Sequence, residues 1–191
     1  QTARDILIRP GVSASTLMTE GTELGLRIER GATGWHIEET RYHTSGGVDI
    51  DAFLDLELWL GPALRSEAID RDVPLPAEGP TGIVIDARGV DFRPALAPTI
   101  TMASGHTLTR ADRVARDTLE TRGPVLYVSD PADQRALELA GNAPLFAIAS
   151  EGGSGTLELR AVDWEMPSNL DALIAHGRVV IVASSIESAS D

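Results

Sequence analysis

A chain of 191 residues, 42% of them hydrophobic, has room for one medium domain or two small ones and for a buried core; with only 4% aromatic residues, aliphatic side chains must fill that core. The formal net charge of −13 leaves no basic stripe for phosphate neutralisation, so we expect no nucleic-acid partner and no attraction to an anionic membrane surface. All 16 basic residues are Arg and Cys is absent, which removes phosphate-loop and Schiff-base lysines, thiol catalysis, thiolate zinc sites and disulfides together.

The apolar runs, such as "IVI" at 83–85 and "VVIVA" at 179–183, are strand-sized and far below the ~18–20 residues of a membrane helix, so no direct membrane insertion is expected. The first residue is Gln1 rather than Met, which leads us to expect a secretory signal removed ahead of it. Position 1 also offers no Cys for a lipid anchor.

In chain order, Leu17, Met18, Gly21, Leu24, Gly25 and Ile28 recur at helical spacing and predict a helix within 12–30. Ser13 or Ser15 would cap its start, and Gly31 would stop it. Two strand-like runs over 35–60 flank "TSGG", which predicts a hairpin. Its second run alternates strictly. Val48, Ile50, Ala52, Leu54, Leu56, Leu58 and Leu60 take one face, and Asp49, Asp51, Phe53, Asp55, Glu57 and Trp59 take the other. Residues 70–80 carry three prolines among charges and read as a linker.

The second half alternates strand and helix. Strands are predicted at 82–86, 99–104, 124–130, in "PLFAIAS", in "TLELRAV" and in "RVVIVAS". One helix is expected from Thr109, as N-cap, through "TRADRVARDTLETRG". A second starts at Asp130, Pro131 and Asp133 and ends at Gly141. A third begins at Ser168 and Asp171 and ends near Gly177. The fold class is therefore α+β and α/β, an N-terminal helix plus β-hairpin unit followed by a small mixed α/β domain. The expected boundaries are 1–72 for the first unit, 73–80 for the linker and 81–185 for the α/β domain, with 186–191 a disordered polar tail.

"TGIVIDARGVDFRPALAPTI" at 81–100 places Asp86, Arg88 and Asp91 at the end of a strand, where α/β sites often lie. Asp86 and Arg88 are also close enough to pair with each other and lock the turn, Gly89 permitting a tight backbone and Pro94 and Pro98 stiffening "RPALAP". We favour the structural reading over a catalytic one.

The acidic comb of Asp49, Asp51, Asp55 and Glu57 has same-face spacing of roughly 6.5–7 Å. A Ca²⁺ site would need convergent oxygens from elsewhere, so solvation, pairing with Arg, or an interface carried by Phe53 and Trp59 are the favoured roles. His36, His43, His106 and His176 are scattered, and no metal or cofactor is expected. "EGGSG" at 151–155 sits between two strands, which predicts a mobile hairpin loop rather than a phosphate cradle.

The motif "TGIVIDARGVDFRPALAPTI" resembles one of the form "TGLVIDARGLGLRPALSP" in bacterial envelope proteins of the lipoprotein-20-like and flagellar assembly protein T group. "GPVLYVSDPADQRALELAGNAPLFAIAS", "LIAHGRVVIVAS" and, upstream, "TRYHTSGGVDIDAFLDLELWLGPAL" are similar to further parts of that group, so the resemblance covers roughly residues 13 to 185. It implies a periplasmic or extracellular location, no catalysis, and a part in envelope or appendage assembly. Two departures stand out: the missing lipidation Cys, and a short segment after residue 100.

The leading expectation is a non-enzymatic structural protein that self-assembles into a ring, tube or filament. Its partners would be itself and other envelope or appendage proteins. The alternative is a monomeric periplasmic adaptor for an envelope protein or glycan, and third comes an acidic-site hydrolase using Asp86 and Asp91.

Overall fold

In a computed structural model, residues 6–19, 25–26, 36–53, 68–69, 73–161 and 165–184 are described. They form an α+β architecture built on a seven-stranded mixed sheet, a separate two-stranded hairpin and a short N-terminal ribbon. The ribbon pairs β1 (Leu7–Arg9) with β2 (Val12–Ser13) and leads into α1 (Ala14–Thr19). Ser13 caps α1 as expected, its Oγ accepting from Thr16 N at 3.2 Å. Of the predicted 12–30 helix, Gly25 and Leu26 are again helical, and positions 20–24 and 27–30 lie outside the described residues. The hairpin comprises β3 (His36–Tyr42) and β4 (Val48–Phe53).

The sheet contains β5 (Ile83–Asp86), β6 (Thr99–Met102), β7 (Thr107–Thr109), β8 (Leu126–Val128), β9 (Leu145–Gly152), β10 (Thr156–Leu159) and β11 (Val179–Val182). Their order is β7-β6-β10-β9-β5-β11-β8. β9, β5, β11 and β8 run parallel, β10 turns back antiparallel to β9, and β6 runs parallel to β10. β11 lies between β5 and β8, and all four of its residues are buried. An unbroken Val-Val-Ile-Val run is what a strand covered on both faces requires.

Two helices provide that cover. α3 (Gln134–Ala140) packs Ala136 and Ala140 on Val84, Val128, Val180 and Val182. α4 (Leu170–Ala175) packs Leu170, Leu173 and Ile174 on the opposite face, against Ile83, Ile85, Val179 and Ile181. Asp133 caps α3 by accepting from Arg135 N at 2.8 Å, and Gly141 ends it at φ 74°, both as read from the sequence.

Thr109 is not a helix cap. It ends strand β7, and the chain passes through a 3-10 turn at Ala111–Arg113 before α2 (Arg116–Thr121) begins. Asp112 is drawn to Arg110, and Val114 is wholly buried, so this stretch follows tertiary packing rather than one continuous helical face.

The N-terminal residues join the second half. Ile8 and Ala14 share a core with Ala97, Ala111, Val114 and Leu119. The 73–80 stretch, read from the sequence as a linker, is irregular and tethered: Pro80 O accepts from Asn169 Nδ2 at 2.9 Å, and Val73 O lies 2.6 Å from His176 Nε2.

The start of β5 passes so close to the end of α3 that a Cβ on Gly82 would lie 2.7 Å from both Cα and O of Ala140. Thr81 fastens the same crossing, donating to Ala140 O at 2.7 Å and accepting from Ala143 N at 3.0 Å. Gly82→Ala is therefore expected to destabilise the chain by about 1–3 kcal/mol, measured by urea unfolding with an unchanged m-value.

Candidate functional site

The turn after β5 is closed by its own charges. Arg88 grips Asp86 side-on, Nε to Oδ1 at 3.0 Å and Nη2 to Oδ2 at 2.6 Å, and the Arg88 backbone N–H donates to Oδ1 at 3.1 Å. The side-chain bond with Arg88 is the largest cause of a lowered Asp86 pKa, opposed by partial desolvation. A carboxylate committed in this way is a weak base and a poor nucleophile. Asp91 is exposed and shares none of these bonds. Among the described residues no three His, Asp or Glu groups converge as metal ligands.

Gly89 plays no conformational part in the turn. Its φ is not positive, and a Cβ there would meet nothing within 4 Å. The expectation that it permits a tight backbone is corrected on that ground. Ser184 Oγ fixes the far side of the turn by donating to Arg88 O at 3.1 Å.

"RPALAP" is extended and docked, its free N–H groups spaced around the two prolines. Arg93 N donates to Gly153 O, Leu96 N to Leu7 O, Ala97 N to Ile8 O and Thr99 N to Gly155 O. Pro94 and Pro98 have no N–H to lose, so neither proline leaves a donor unpaired where the segment bridges β1 and the β9–β10 turn. "EGGSG" is consequently not an open mobile loop. A Cβ on Gly152 would lie 2.7 Å from Asp91 O, and one on Gly155, at φ 76°, would lie 2.9 Å from Ala95 Cβ.

Sequence reasoning missed the residue that holds this segment from below. Tyr127, on β8, donates its hydroxyl to Ala95 O at 2.7 Å and tilts its ring against Phe92 at a centroid distance of 6.1 Å. Burial pushes its phenol far above the ordinary value. A lone Tyr in "PVLYVSD" gives no sequence signal for a partner 32 residues earlier.

The hairpin presents two unlike faces. Tyr42 sits opposite Val48, Thr40 opposite Ile50 and Ile37 opposite Ala52, so these positions share one face. The other face pairs Arg41 with Asp49 and Glu39 with Asp51 in register, and His43 Nε2 lies 2.7 Å from Asp49 Oδ2. Val48 and Ile50, read from the alternation as part of one apolar face, stand exposed: Ile37 is 64% exposed, Tyr42 81%, Val48 48% and Ile50 56%. Phe53 ends β4, its side chain beyond description, and Asp55, Glu57 and Trp59 lie outside the described residues. The described apolar surface of the hairpin is thus on the face opposite Asp49.

Arg88→Ala should lower the thermal midpoint by no more than an exposed ion pair allows, with the fold kept. Asp86 has a folded pKa below its unfolded one, so its contribution is present above about pH 4 and is lost as pH falls through the lowered folded value. The difference between wild type and Arg88→Ala is expected to be largest near neutrality and to vanish in strong acid. Tyr127→Phe leaves Ala95 O without its donor and should cost about 1–3 kcal/mol in chemical unfolding.

No curated protein matches the chain. The family model that does match describes the second domain of Treponema pallidum Tp0624 and covers residues 82–185, the stretch from the start of β5 to just past β11. With more than half of its length in that match, the chain belongs to the Treponema pallidum Tp0624 second-domain family.

Proposed function

We propose that this chain is a non-enzymatic structural protein of the bacterial envelope or exterior that self-assembles, with the hairpin as its contact element. The observation that carries the reading is the apolar face of the hairpin. Four large side chains, Ile37, Tyr42, Val48 and Ile50, stand exposed on one side of a two-stranded ribbon. An isolated two-stranded ribbon is marginal in water and gains stability when such a face is covered. A second copy offers the same face, and the charged face behind it, with Glu39, Arg41, His43 and Asp49, keeps the outer side solvated.

The turn at Asp86 supports a scaffold rather than a reaction centre, because its carboxylate and guanidinium are spent on each other. The lipoprotein-20-like and flagellar assembly protein T resemblance supports a periplasmic or extracellular setting, near a flagellum or another surface appendage. No helix of the described residues is long and apolar enough to cross a membrane.

Light scattering across protein concentration, with negative-stain imaging of the same samples, tests the reading. Mass should grow with concentration into rings, tubes or fibres, and Val48→Ser with Ile50→Ser should leave monomers of native circular dichroism. A wild-type chain that stays monomeric throughout would sink self-assembly and favour a monomeric adaptor for an envelope protein or glycan.

A further inference from the structure

Two guanidinium groups share one cavity at the N-terminal edge of the parallel strands. β8 and β11 pair in parallel, so the residues that lead into them lie side by side. Arg122 belongs to the first lead-in and Arg178 to the second. Gly177, at φ 57°, lets the two turns close up: a Cβ there would lie 2.9 Å from Gly123 O. The cavity they line has a volume of about 320 Å³. Val125, Leu126 and Leu139 supply its apolar wall.

The remaining charged groups on its wall are already engaged. Arg135 is held by Asp133, and Glu138 accepts from Gln134 Nε2 at 2.8 Å. Arg122 donates to the His176 carbonyl and has no ion-pair partner among the described residues. Desolvation first, and then the charge of Arg178, lower its pKa, with the charge of Asp117 opposing them. Arg178 donates through Nη1 to Leu139 O at 3.3 Å and Thr81 O at 3.5 Å. Its Nε–H is buried with no hydrogen-bond partner among the described residues.

At three other arginines of this molecule the Nε/Nη2 edge meets a carboxylate side-on. Arg88, Arg110 and Arg135 each turn that edge to both oxygens of a carboxylate. This is the side-on geometry that matches a guanidinium to a carboxylate. At Arg178 the same edge meets no carboxylate of the described residues.

We propose that this cavity binds a small organic carboxylate, its anionic end between Arg122 and Arg178 and its apolar part against Val125, Leu126 and Leu139. Nη1 of Arg178 keeps the carbonyls of Leu139 and Thr81, and its buried Nε–H is the donor left for the anion. The apolar wall favours an organic ligand over an inorganic ion, and the negative charge of Glu138 favours a monoanion over a phosphate dianion.

The test is titration of the whole chain with sodium hexanoate, hexylammonium chloride and inorganic phosphate, followed by arginine Nε–H NMR signals. Hexanoate should shift the Arg178 signal saturably, with a dissociation constant on the order of 1 mM. Hexylammonium should not shift it. Arg122→Gln should weaken hexanoate by about tenfold. Glu138→Gln, at an exposed position, should leave the fold intact and tighten hexanoate severalfold. The proposal is overturned by a hexanoate titration without saturation, by phosphate binding more tightly than hexanoate, or by Glu138→Gln binding that is unchanged or weaker. Unchanged affinity in a natively folded Arg122→Gln overturns it equally.

Discussion

Everything in the larger unit leans on the burial of β11. Val179, Val180, Ile181 and Val182 are each at most 1% exposed, two facing the α4 core and two the α3 core. Burying side chains of this size contributes about 1.5–3 kcal/mol each. β11 also joins β5 to β8, which have no direct pairing of their own. Its partners come from far earlier in the chain, so the sheet cannot close until the C-terminal strand is in place.

The charged turns follow a second rule, which is local. Asp86 with Arg88, Arg110 with Asp112 and Asp133 with Arg135 are all pairs two residues apart. Each neutralises itself within one turn and holds the side-on edge of its arginine in place. Such pairs shape the chain where strands and helices end, and against them a cavity whose Arg122 and Arg178 have no carboxylate ion pair among the described residues stands apart in so acidic a protein.

The sequence was most legible where periodicity and local chemistry agreed. The strands at 83–86, 145–152 and 179–182, the α3 caps at Asp133 and Gly141, and the Asp86–Arg88 lock could all be read from neighbouring residues. What could not be read depends on approach from a distance. Thr109 looks like a cap until β6 claims it as a strand partner through Ile100. The glycines of "EGGSG" look like slack until "RPALAP" packs on them. Gly89 sits in the motif as though required and meets nothing. Tyr127 and the Arg122–Arg178 pair are invisible in sequence because tertiary approach, rather than spacing, brings their partners to them: the packing of "RPALAP" for Tyr127, and the parallel pairing of β8 with β11 for the arginines. The hairpin shows the converse: over 48–53 alternation separated the two faces of the second strand, but period two does not say whether the apolar face is exposed.

The two outer strands of the large sheet, β7 and β8, are each three residues long. So short an edge offers too few backbone donors and acceptors to template another strand, which is how many sheets resist edge-to-edge aggregation. The sheet is in effect sealed at both margins. The hairpin can therefore expose Ile37, Tyr42, Val48 and Ile50 without the main sheet itself offering a long edge as a seed for amyloid-like growth.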